Sequence, residues 1–110
     1  MNEQFKDKVI IVTGSTQGSG AETARLLASR GAKAITICGR QENKGLEVKN
    51  QIEKLGTECL YIKADLKNVD DCKKIVLETD KKFGTINSLI NVAGYTERGT
   101  ILSLSLIHIW

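Results

Sequence analysis

Thr13-Gly14-Ser15-Thr16-Gln17-Gly18-Ser19-Gly20 decides how this chain folds. An apolar run, Val9-Ile10-Ile11-Val12, precedes it, and an alanine-rich helical pattern over residues 21–30 follows. A strand, a glycine-rich turn and a helix in that order make a cradle for phosphate. The first N–H groups of a helix have no partner inside it and point at whatever sits before them. The helix dipole adds partial positive charge at the same place, which favours a pyrophosphate. Glycine lets the backbone approach the phosphates with no Cβ in the way. The stretch thus raises two questions: which nucleotide is held, and whether the chain carries the rest of an enzyme.

Outward from this turn, strand and helix patterns alternate. Residues 8–13 read as strand one and 18–30 as helix one, with Ala24, Leu27 and Ala28 on one face and Gly31 as its stop. Residues 34–39 read as strand two, rich in β-branched Ile35, Thr36 and Ile37. Helix two covers 41–55, with Val48, Ile52 and Leu55 at helical spacing, and Gly56 ends it. Strand three covers 58–64, and Asn68 is the N-cap of helix three. That helix carries Val69, Cys72, Val76, Thr79 and Phe83 on one stripe and ends at Gly84; residues 86–93 read as strand four. Apolar strands separated by amphipathic helices predict a parallel sheet covered on both sides. Right-handed crossovers then give the N-terminal half of a Rossmann-type, doubly wound α/β sheet, ordered 3-2-1-4.

Composition bounds the function. The chain has 110 residues, enough for one domain, with 41% hydrophobic and 26% charged residues, the profile of a soluble globular protein. The net charge is only +3, and its lysine pairs, Lys73-Lys74 and Lys81-Lys82, fall within one helix as a solvated face. There are five aromatic residues and no basic stripe interleaved with them, so nucleic acid is not an expected partner. No apolar run is long enough to span a bilayer, and no signal peptide is evident. The spacing of Cys38, Cys59 and Cys72 matches neither a zinc site nor a redox pair. They read as small buried thiols in a reducing cytoplasm; no metal site is expected.

The C-terminus breaks the pattern. Residues 101–110 alternate apolar and polar and stop without a cap, turn or charge. The run Leu104-Ser105-Leu106-Ile107-His108-Ile109 also resembles a translated sequencing adapter. The expectation is therefore a partial dinucleotide-binding domain over 1–102 and a non-native or truncated tail over 103–110. The alternative is a genuine apolar segment that opens the next helix or an oligomer contact.

Three motifs in register carry a family resemblance. Thr13 to Gly20 gives Thr-Gly-x-x-x-Gly-x-Gly after strand one, Asp65-Leu66 follows strand three, and Asn91-Val92-Ala93-Gly94 follows strand four. Together they resemble the N-terminal part of a short-chain dehydrogenase/reductase, over roughly residues 6 to 102. The glycines have separate roles: Gly14 permits the tight turn, Gly18 lets the backbone close on the pyrophosphate, and Gly20 lets helix one pack on the sheet. Ser15, Thr16 and Gln17 can add side-chain hydrogen bonds to phosphate or ribose. The resemblance implies that Asp65 accepts from the adenine amino group and the Leu66 N–H meets a ring nitrogen. It also implies that Asn91 ties strand four to its neighbours and that Ala93 and Gly94 form a flat wall beside the cofactor ribose. Ser19 stands where the family usually has an aliphatic residue, a local change in packing.

The end of strand two bears on which cofactor is held. An acidic residue there would take the adenosine ribose hydroxyls and select NAD(H). This chain has Gly39-Arg40 instead. Glycine makes room for a 2′-phosphate, and arginine can grip it with a charge-assisted pair. NADP(H) is the preferred cofactor on this reading, with NAD(H) the alternative; Gln17, where many NADP-using relatives carry a basic residue, pulls the other way.

The family's acid/base motif, Tyr-x-x-x-Lys, has no match: Tyr61 is followed four positions on by Asp65, and Tyr95 by Gly99. No residue here inherits a catalytic role, and the lone His108 is assigned none. The resemblance implies a parent enzyme, a homo-oligomer that moves a hydride between a nicotinamide cofactor and a carbonyl/alcohol substrate, of which this chain is an inactive cofactor-binding part. Strand four is then expected to be an apolar edge prone to self-association. The competing reading is a stand-alone, non-catalytic dinucleotide-binding or sensor module.

Overall fold

The computed structural model describes residues 4–14, 16 and 18–91. Its elements follow the order expected from the sequence: β1 (Val9–Thr13), α1 (Gly18–Ser29), β2 (Ala34–Gly39), α2 (Glu42–Lys54), β3 (Glu58–Lys63), α3 (Val69–Phe83) and β4 (Ser88–Asn91). The four strands form one sheet, ordered β3-β2-β1-β4, and every pairing is parallel. All four strands therefore end at one edge, where Thr13 lies opposite Asn91 and Gly39 opposite Lys63.

Strand side chains alternate between faces, and the two faces bury different helices. Ile10, Val12, Ile35, Ile37 and Cys59 pack with Ala21, Ala24 and Leu27 of α1 and Val48 and Ile52 of α2. On the other face Ile11, Cys38 and Ile62 pack with Cys72, Ile75 and Val76 of α3. The central strands β1 and β2 are buried on both faces, with Gly39 alone half-open. Thr36, a polar residue at the centre, meets Thr79 Oγ1 at 2.8 Å, and Thr79 also donates to the Ile75 carbonyl at 2.6 Å. A buried hydroxyl pair that satisfies itself this way avoids the cost of an unpaired polar group. The three cysteines are buried, as expected.

Helix limits follow local chemistry. Asn68 caps α3 by accepting the Asp71 N–H at 3.1 Å, and Gly84 ends it in the left-handed region at φ 79°. Two expected core residues are outside: Leu55 is 50% and Val69 47% exposed. Leu55 is the C-cap of α2, past its regular turns. Val69 is the first residue of α3, and helical side chains lean toward the N-terminus, carrying it off the core. Ile75 takes its place in the stripe. Strand four starts at Ser88, two residues later than expected, because Asn87 binds β1 with its side chain: Oδ1 accepts the Val9 N–H at 2.8 Å while the Asn87 N–H donates to the Val9 carbonyl. Residues 103–110 lie outside the described residues.

Candidate functional site

The strand order reverses direction between β1 and β4, since the chain leaves β1 toward β2 on one side and returns to β4 on the other. Crevices of ligand size form outside the carboxyl ends of strands at such a switch point. The glycine-rich turn, Gly39-Arg40, Asp65-Leu66 and Asn91 all follow or end these strands, so one edge collects them.

The β1–α1 corner is built by backbone freedom. Gly14 at φ 61° and Gly18 at φ 58° both take the left-handed conformation that side chains resist. A Cβ at Gly18 would meet nothing within 4 Å, so open space faces the start of α1. Gly20 is buried, which lets α1 lie close to the sheet. The first turn of α1 contains no acidic residue. Ser19 is exposed at that turn, and its carbonyl accepts the Thr23 hydroxyl at 2.8 Å. Ser15 and Gln17 lie outside the described residues.

Thr16 leans across to the end of β2. A Cβ on Gly39 would sit 2.6 Å from both Cγ2 and Oγ1 of Thr16, so a larger residue at 39 would push into the glycine-rich turn. Arg40 follows, exposed, two residues before α2 begins. Tyr61, which no sequence motif marks for this corner, joins it from β3. Its hydroxyl donates to the Gly39 carbonyl at 2.8 Å. Burial is the main influence that raises the Tyr61 hydroxyl above its ordinary pKa, followed by the nearby charge of Glu42. That is opposite to the lowered value an acid/base tyrosine needs.

The β3–α3 corner is tied by side chains. Asp65 Oδ1 accepts the Lys67 N–H at 2.9 Å, a turn-stabilising bond. The Asp65 N–H in turn donates to Asp71 Oδ2 at 2.8 Å. Asp71 is thus a second residue the sequence reading passed over; the two acidic residues in the first turn of α3 were the available signal. Asp65 and Leu66 are both half-buried at the edge. Across the sheet the Thr13 hydroxyl donates to Asn91 Oδ1 at 2.7 Å and joins the ends of β1 and β4. Ala93 and Gly94 lie outside the described residues.

A thiol lies beneath the first corner, Cys38 near the end of β2, and another, Cys59, at the opposite end of the sheet near the start of β3. Burial pushes Cys38 up to about 12, against a lowering contact from the Gly14 backbone. Cys59 is likewise pushed up to about 12 by burial. Neither has the lowered value of a reactive thiolate.

Comparison with known proteins places this arrangement in context. The family described as short chain dehydrogenase matches residues 8–110. An 11-beta-hydroxysteroid dehydrogenase-like protein 4A of Arabidopsis thaliana is 36% identical over 97 residues, 87% of this chain and 32% of its own. The NAD+-bound xylitol dehydrogenase structure superposes with a TM-score of 0.79 at 28% identity, over 84% of this chain and 35% of its own. A hydroxysteroid dehydrogenase from Escherichia coli superposes at 0.89 and 20% identity, over 96% of this chain and 52% of its own, a likeness of fold. The chain spans about a third of the length of the curated relatives it matches.

Proposed function

The chain belongs to the short-chain dehydrogenase family, and from that premise we propose that it is the dinucleotide-binding part of an oxidoreductase. The observation that carries this is the β1–α1 corner: two left-handed glycines, open space at Gly18, and a helix start without a carboxylate. A pyrophosphate fits there because unpaired N–H groups and the dipole both favour an anion. Gly14, Ser15, Thr16, Gln17, Gly18, Ser19 and Gly20 would hold it. Asp65 would accept from the adenine amino group through Oδ2, since Oδ1 is engaged by Lys67. The Leu66 N–H would meet the adenine ring, and Asn91, Ala93 and Gly94 would border the ribose. When bound, the nicotinamide supplies or takes the hydride exchanged with a small carbonyl or alcohol. These residues bind and orient; none is assigned the proton transfer.

NADP(H) is the preferred partner on this reading, with NAD(H) accepted more weakly. Arg40 precedes α2, whose N-terminal end is the positive end of its dipole. An arginine there does nothing for the helix, whereas it suits a 2′-phosphate. Glu42, in the first turn of α2, already serves the helix electrostatically. Dissociation constants for both cofactors, measured on the full-length protein, test the preference. Arg40→Asp is expected to reverse it; tighter NAD(H) binding by the unaltered protein would reject it.

A further inference from the structure

We infer that Tyr61 and Gly45 together form a positioning device for the cofactor's 2′-phosphate, acting through the Gly39–Arg40 peptide. The inference rests on the dinucleotide reading above. Tyr61 stands in β3, opposite Ile37 of β2, and packs against the core shared with α1 and α2. Its ring lies on Gly45 of α2, so closely that a Cβ on Gly45 would overlap ring atoms. Gly45 is buried in the second turn of that helix, and its N–H donates to the Gln41 carbonyl at 3.0 Å. A glycine inside a helix costs roughly 1 kcal/mol against alanine. Here its place in the fold is explained by the ring it admits.

What the ring achieves is the reach of its hydroxyl. Oη donates to the Gly39 carbonyl at 2.8 Å, and the Ala64 N–H donates to the same oxygen at 3.0 Å. That carbonyl and the Arg40 N–H belong to one rigid peptide plane. Two donors on one oxygen fix the plane, and the plane sets the direction in which the Arg40 side chain leaves the sheet. On its other side Gly39 abuts Thr16, so the peptide is confined between that side chain and the Tyr61 hydroxyl. The raised pKa keeps the Tyr61 hydroxyl protonated, hence a donor, throughout the neutral range.

Tyr61 touches neither phosphate nor adenine in this account; Arg40 does the gripping. Removing the hydroxyl therefore weakens the ligand that needs Arg40 and spares the one that does not. In the full-length protein, Tyr61→Phe is expected to lower NADP+ affinity by roughly three- to tenfold, the range a single hydrogen bond gives. NAD+ affinity should change by less than about twofold, since its ribose carries no charge for Arg40 to pair. Gly45→Ala, which displaces the ring, should act in the same direction, and the two changes combined should not add. In an Arg40→Ala background, Tyr61→Phe should leave the NADP+/NAD+ affinity ratio where Arg40→Ala alone put it. The measurement is calorimetric titration of each variant with NADP+ and with NAD+, alongside thermal unfolding. A ratio unchanged by Tyr61→Phe overturns the inference, and so does an equal loss of both affinities, which is the mark of a merely structural tyrosine. An unaltered protein that binds neither dinucleotide removes the dinucleotide reading itself and this inference with it.

Discussion

The β1–α1 and β3–α3 corners stand at the same edge of one sheet and are built in opposite ways. At the first, Gly14 and Gly18 take left-handed conformations and α1 starts with no acidic residue. At the second, Asn68 caps α3, Asp70 and Asp71 occupy its first turn, and Asp71 also holds the Asp65 N–H. The protein thus supplies its own anions to one helix dipole and withholds them from the other. A helix start that is to receive an external phosphate has to be left without internal carboxylates; one that receives none is best neutralised from within. On the proposed function, the difference separates the corner that takes phosphate from the one that meets adenine through Asp65 and Leu66.

The comparison can be broken most forcefully through the thiol beneath the first corner. Cys38 is pushed up to about 12 in the folded chain, against 9.0 for the ordinary thiol. A pKa raised on folding gives stability that is complete below about pH 9 and is lost as pH rises toward about 12. Within that window the loss attributable to Cys38 should approach about 1.4 kcal/mol per pH unit. Urea unfolding at a series of alkaline pH values would show it, and Cys38→Ala should flatten the slope. An unchanged slope in the variant would mean that this thiol is solvated in the folded protein.

Charge at the two helix starts gives the next effect. Ser19→Asp would place a carboxylate in the first turn of α1, where the second corner already has two. It should stabilise the helix by about 0.5 kcal/mol yet weaken dinucleotide binding by roughly tenfold, about 1.4 kcal/mol. Opposite movements of melting temperature and affinity are the signature; parallel movements would contradict the contrast drawn between the corners.

A matched pair of glycines sharpens it further. Gly18 and Gly84 have similar positive φ angles, 58° and 79°, and a Cβ at either would meet nothing within 4 Å. Alanine at each should cost about 1 kcal/mol of stability from backbone strain alone. Only Gly18→Ala should also lower nucleotide affinity, because on the proposed function only there does the methyl enter the space the phosphates would take. The smallest effect belongs to the α3 cap: Asn68→Ala should cost about 1 kcal/mol of stability and change affinity by less than about twofold. Chemical denaturation and titration of the same samples would check both variants.

These contrasts also show what could be read from residue order and what could not. The parallel sheet and its order were legible because apolar β-branched runs, amphipathic stripes and glycine stops all agreed over residues 9–84. Short-range chemistry was legible too: Asn68 caps α3, and the three thiols are buried. Period alone misplaced Leu55 and Val69, since each sits at the margin of its helix, where the spiral no longer sets which face is buried. Asn87, Tyr61 and Asp71 were passed over for a different reason. Each acts on a backbone group of another segment, Val9, Gly39 and Asp65 respectively. Asp71, six residues from Asp65, was signalled locally by the acidic first turn of α3. The pairings of Asn87 and Tyr61 depend on which strands become neighbours, and no local pattern encodes them. The Tyr61 ring on Gly45 is of this kind: neither residue is informative until the other is in place.

The central claim is that the start of α1 receives the pyrophosphate of a nicotinamide dinucleotide. Its most direct test is calorimetric titration of the full-length protein, unaltered and as Ser19→Asp, with NADP+ and with NAD+. The account predicts saturable binding of one dinucleotide per chain, tighter for NADP+, and a loss of roughly tenfold for both ligands in the variant. Absence of saturable binding to the unaltered protein, or affinities that ignore the new carboxylate, would contradict it.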